Sequence, residues 1–126
     1  MIRMLLFVGF GGFLGSICRF LIYNYFFRNG GSDYPWGTFA ANMIGCFLIG
    51  LILGYVVAGN DLSQPLVWFF ATGFCGAFTT FSTFAYESIN LLNSSKIILS
   101  IAYIALSVFV GLLFTWLGTL AARSLS

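Results

Sequence analysis

Four long apolar runs joined by short turns predict an all-α integral membrane protein with four transmembrane helices, the third of them interrupted. Three observations carry that prediction. The chain of 126 residues is 60% hydrophobic and only 6% charged, whereas a soluble domain carries about 25% charged residues. Its runs, Met4 to Phe27, Pro35 to Ala58, Pro65 to Leu92 and Ile97 to Ala122, each meet the roughly 20 apolar residues that a membrane helix needs. Inside the third run, "GFCGAFTTFSTF" (residues 73–84) places glycines and hydroxyls at membrane depth. Residues 1–126 thus make a single transmembrane domain, with no room for a soluble one.

The first run begins "MIRMLLFVGFGGFLG" and resembles a signal peptide, but it continues apolar to Phe27 and is expected to remain as the first span. The second starts at Pro35 and carries one amide, Asn42, about 10 Å from its start at 1.5 Å per residue. The third is 28 residues long, about 42 Å if fully helical, against a hydrocarbon core of about 30 Å. Gly73 and Gly76, followed by Thr79, Thr80, Ser82 and Thr83, allow an interruption between Gly73 and Thr79. The separators "RNGGSDY", "GNDLSQ" and "NSSK" have turn chemistry.

Small residues recur every four positions: Gly11 and Gly15; Gly37, Ala41 and Gly45; Gly50 and Gly54; Ser107, Gly111, Thr115 and Thr119. Such stripes let helix backbones approach closely in lipid. They are numerous enough to suggest more close-packing faces than one bundle uses. Orientation should follow Lys and Arg in the loops. Arg3 and Arg123 on one side balance Arg28 and Lys96 on the other, so loop charge decides no orientation: either the chain inserts both ways and pairs as an antiparallel dimer, or other signals orient it.

Several functions are excluded. A net charge of +2 without a basic cluster or phosphate-binding loop argues against nucleic acid. Cys18, Cys46 and Cys75 are isolated, and there is no histidine to complete a metal site. With no histidine and no paired carboxylates there is no general acid–base machinery, so the protein is not expected to be an enzyme.

Polar groups at membrane depth mark pathways or binding sites. Arg19 and Glu87 approach the same membrane face. Either they pair, which lowers the cost of both, or Arg19 stands as a cation drawing anions into an aqueous vestibule. On a continuous helix Thr80, Thr83 and Glu87 share one face, while Phe74, Phe78, Phe81 and Phe84 share another. Ring edges carry partial positive charge. Beside hydroxyls and an amide they offer an anion weak donors that do not trap it.

The motifs "GGFLGSICRF" (residues 11–20), "GTFAANMIGCFLIG" (residues 37–50) and "GFCGAFTTFSTF" together resemble those of the Fluc (CrcB-type) fluoride channels, in order and over all four spans. The resemblance implies a multi-pass protein of the bacterial inner (plasma) membrane: a dual-topology antiparallel homodimer that exports fluoride passively and selects against chloride. It implies a fluoride pathway through Asn42, Phe81 and Phe84, with Ser82, Thr83, Tyr103 and Ser107 as hydroxyl-bearing neighbours, and with Thr38 and Glu87 along it. It places Arg19 at the vestibule. It also implies one structural sodium ion at the dimer centre, held by backbone carbonyls matching Gly76 and Thr79. Phe20 stands where many members have tyrosine. The alternatives are a small multidrug resistance-type transporter, which requires an acid deep in the first span where this chain has Arg19, and a small structural membrane subunit.

Overall fold

A computed structural model describes residues 1–126. The chain is all-helical: α1 (Ile2–Asn29), α2 (Trp36–Val57), a composite third span, and α6 (Ile97–Ser124). The third span comprises α3 (Gln64–Val67), a π-helical stretch (Trp68–Cys75), the single turn α4 (Gly76–Phe78) and, beyond a break, α5 (Phe81–Asn93). Four stretches are long and apolar enough to cross a membrane: Ile2–Asn29, Trp36–Val57, Gln64–Asn93 and Ile97–Ser124.

Two of the turns are closed by the same device. After α2, the Gly59 N–H returns to the Val56 carbonyl at 3.0 Å and the Asn60 N–H to the Tyr55 carbonyl at 3.4 Å. Gly59 has φ +86°, the left-handed conformation that this closure requires. After α5, Ser95 at φ 60° plays the same part. Its N–H reaches the Leu92 carbonyl at 3.1 Å, and the Lys96 N–H reaches the Leu91 carbonyl at 2.9 Å. Lys96 then pairs with Asp33 at 2.9 Å, tying this turn to the loop between α1 and α2.

The small residues explain the packing. α2 runs parallel to α6, with Gly111 against Cys46, Gly50 against Thr115 and Gly54 against Thr119. α1 runs along the third span, where a Cβ on Gly11 would strike the Phe69 carbonyl and one on Gly15 the Phe74 carbonyl. Gly37 meets Tyr23, and Gly45 meets Thr79. The glycine stripes are therefore occupied within one chain, contrary to the expectation that they exceed what one bundle uses. Only 19 of 126 residues are buried, so most of the apolar surface is left to lipid or to another copy.

The interruption is not where the glycines suggest. Gly76 is helical at φ −61° and ψ −36°, and Gly73 lies within the π-helical stretch, where it admits the backbone of α1 at Val8 and Gly11. The chain extends instead at Thr79 (φ −84°, ψ 156°) and Thr80 (φ −147°, ψ 117°). β-Branched residues tolerate this extended backbone well. The Thr80 hydroxyl then caps α5 by accepting from the Thr83 N–H at 3.3 Å.

Candidate functional site at the break in the third span

The break leaves backbone groups without helical partners at membrane depth, where each must be satisfied or face a cavity. Side chains from two other helices meet part of that need. From α2, Asn42 accepts the Thr80 N–H on Oδ1 at 2.8 Å and donates from Nδ2 to the Thr80 carbonyl at 3.2 Å. From α1, Arg19 donates from Nε to the Ala77 carbonyl at 3.0 Å.

Carbonyls on the near side of the break are left over, those of Gly76 and Thr79 among them. In an unbroken helix the Gly76 carbonyl would receive the Thr80 N–H, and the Thr79 carbonyl the Thr83 N–H. Here Asn42 takes the first of these donors and the Thr80 hydroxyl takes the second. Gly76 and Thr79 also line a cavity of about 420 Å³, together with Asn42, Phe81, Phe84 and Ser107. Carbonyl oxygens freed in this way are suited to a hard cation.

A second cavity, about 270 Å³, lies on the other side of Thr80 and is lined by Ser16, Arg19, Tyr23, Thr38 and Thr83. Beyond it the Thr38 hydroxyl donates to Glu87. Glu87 reaches a third cavity, about 250 Å³, beneath the loop that carries Asp33 and Tyr34. No Arg19–Glu87 ion pair forms: the guanidinium is turned to the helix break and the carboxylate to Thr38.

The aromatic face expected of a continuous helix is split by the break. Phe74 and Phe78 stack at 5.5 Å on one side of it, while Phe81 and Phe84 lie 5.8 Å apart on the other. Phe78 is buried, whereas Phe81 is 79% exposed on the single chain. The Phe84 ring meets Tyr103 edge-on at 5.1 Å, and Tyr103 meets Tyr34 at 5.3 Å. Tyr103 is fully buried, and the hydroxyls of Tyr103 and Tyr34 have no hydrogen-bond partner. Burial also pushes the Tyr34 phenol above its usual pKa.

Among the residues expected at a site, Asn42, Phe81, Phe84, Ser107, Gly76 and Thr79 thus share one cavity, and Arg19, Thr38 and Thr83 share the next. Ser82 is exposed, its hydroxyl 3.5 Å from that of Thr80. Thr80, placed by the sequence on one face with Thr83 and Glu87 but not among the expected pathway residues, lines both cavities. Its signal was a threonine directly before a helical run, a usual N-cap.

The family described as "CrcB-like protein, Camphor Resistance (CrcB)" matches residues 6–119. The chain is 42% identical over 123 residues to a Flavobacterium psychrophilum protein named fluoride-specific ion channel FluC, covering 98% of this chain and 99% of that one. A Geotalea daltonii protein of the same name is 42% identical over 118 residues, with coverage of 94% and 95%. A Leptospira interrogans relative, also so named, is 44% identical over 118 residues, with coverage of 92% and 91%. With its helices, its broken third span and these relatives in agreement, the chain belongs to the CrcB-like family.

Proposed function

We propose that the protein is a fluoride-selective channel that lets fluoride leave the bacterial cytoplasm passively across the inner membrane. The observation that carries the reading is near full-length similarity to relatives named as fluoride-specific channels. The break adds support of another kind. It sets an amide, ring edges and hydroxyls along two adjoining cavities and brings no carboxylate into the lining of either. A transporter of cationic drugs would need an acid in the first span, and α1 has none.

In the proposed mechanism, Arg19 raises the local concentration of anions in the second cavity. Fluoride then passes Thr83 and Thr38 and sheds water against hydroxyls, the Asn42 amide and the edges of Phe81 and Phe84. Weak donors in series favour entry without trapping the ion. Ser82, Tyr103 and Ser107 extend the track, and Glu87 orients the Thr38 hydroxyl. Chloride is larger and gains less from the same narrow lining.

The working unit in this proposal is an antiparallel homodimer. Phe81 projects from a single chain, and the large cavity beside it is open. A second copy on that face would cover both, and the balanced loop charges permit both orientations. The Gly76 and Thr79 carbonyls would hold a structural sodium ion, whose charge would help tie two subunits together.

Fluoride efflux from liposomes, followed with a fluoride electrode and repeated with chloride, tests the function. Rapid fluoride release with chloride retained is expected. Retention of both ions by well-reconstituted protein would overturn the proposal.

A further inference from the structure

We infer that Arg19 is a positioning residue for the broken third span as well as a charge in the vestibule, and that its Nε–H bond to the Ala77 carbonyl sets the maximal fluoride flux. The inference rests on the channel function proposed above and assigns Arg19 a role that charge alone does not supply.

The geometry separates the two ends of the side chain. Nε–H is engaged by the Ala77 carbonyl at 3.0 Å. That carbonyl lies in the last turn before the break, and its helical donor would have been the N–H of Phe81, which instead opens α5. Arg19 makes no ion pair; the only one in the chain joins Lys96 to Asp33. Its terminal amino groups remain for the cavity shared with Thr38, Thr80 and Thr83.

Holding Ala77 has consequences on both sides of the break. Two residues on, Thr79 turns out of the helix, and Thr80 is held by Asn42. Phe81 follows directly. Arg19 from α1 and Asn42 from α2 therefore grip the chain three residues apart, and between those grips lies the Thr79 carbonyl. Releasing Ala77 frees the end of α4 to shift, which alters where Thr80 and Phe81 stand in the pathway. A fixed point charge would not have this effect.

Two substitutions divide the roles. Arg19→Gln puts an amide N–H at the position of Nε and discards the charge. Arg19→Lys keeps the charge and puts a methylene there. Each is reconstituted and assayed for fluoride efflux over a range of fluoride concentrations, and the Ala77 carbonyl is followed by its carbon-13 shift, which reports hydrogen bonding.

The glutamine variant is expected to keep the Ala77 shift and most of the maximal flux while requiring more fluoride for half-saturation. The lysine variant is expected to lose the shift and about tenfold in maximal flux, the factor equivalent to one ordinary net hydrogen bond. Full maximal flux in lysine with the Ala77 signal moved, or lost maximal flux in glutamine with the signal in place, would overturn the inference.

If neither variant assembles, a short dipolar distance between Arg19 Nε and the Ala77 carbonyl carbon in the wild-type protein supports the bond, and a long one rejects it. A wild-type protein that releases no fluoride sinks the channel function itself. The positioning role is then decided by whether the Ala77 signal and dimer assembly move together in the two variants.

Discussion

Asn42 completes the backbone of Thr80 from another helix, its amide accepting the Thr80 N–H at 2.8 Å and donating to the Thr80 carbonyl at 3.2 Å. An aspartate keeps the acceptor but loses the donor, and it sets a negative oxygen against that carbonyl and beside the proposed anion path. Asn42→Asp is expected to abolish fluoride flux and to lower stability by about 1–3 kcal/mol, the cost of an unsatisfied buried group. Efflux and a thermal midpoint measured on the same preparation check both. Undiminished flux would remove Asn42 from the pathway.

Phe81 and Phe84 face the same cavity, and their rings lie 5.8 Å apart. Phe81→Ile retains an apolar side chain but removes the ring edge. We expect fluoride flux to fall while the dimer still forms. Normal turnover in this variant would count against ring-edge contact with the ion.

Thr80 caps α5 through its hydroxyl, which also donates to Thr83 at 3.0 Å. Thr80→Ala should cost about 1 kcal/mol of stability, and Thr80→Ser should restore most of it. Both are read from denaturation midpoints. Equal loss in both variants would show that the methyl group, not the cap, is what matters.

Gly15 lies against the Phe74 carbonyl, with no space for a Cβ. Gly15→Ala pushes α1 off the third span and is expected to destabilise the fold by about 1–3 kcal/mol, as overpacking does. Gly31, with nothing around it, serves as the control. Gly31→Ala should leave the thermal midpoint close to that of the wild type.

Tyr34 sits in the loop, its hydroxyl buried and unpartnered and its pKa raised by burial. The neutral phenol is therefore favoured more in the folded than in the unfolded chain. Its contribution to stability is complete below the unfolded value, about 10, and declines as pH rises past it. Tyr34→Phe should make that alkaline decline shallower and leave stability at neutral pH unchanged or slightly higher. A steeper decline would contradict the burial.

Much of the architecture could be read from the chain because lipid imposes a simple rule. A spanning segment must satisfy its own backbone, so about 20 apolar residues imply a helix, and short polar turns imply immediate return. The excess length and hydroxyls of the third span likewise gave notice of an interruption. Its exact place differs from the one the glycines suggest, because glycine permits unusual backbone without requiring it. Gly73 and Gly76 stayed helical, and the extended residues were Thr79 and Thr80.

Within the site, sequence reasoning named most of the cavity-lining residues but not their partners. The sequence leaves open whether Arg19 and Glu87 pair, because both are charged and near one membrane face. In the fold each finds an uncharged partner on a different element: the Ala77 carbonyl for Arg19 and the Thr38 hydroxyl for Glu87. The sequence by itself determined four spans, a third one prone to break, and a scarce set of polar groups, since composition and length suffice for these. Only tertiary structure decided where the break falls and which carbonyls it frees, because both depend on donors that arrive from α1 and α2, far away along the chain.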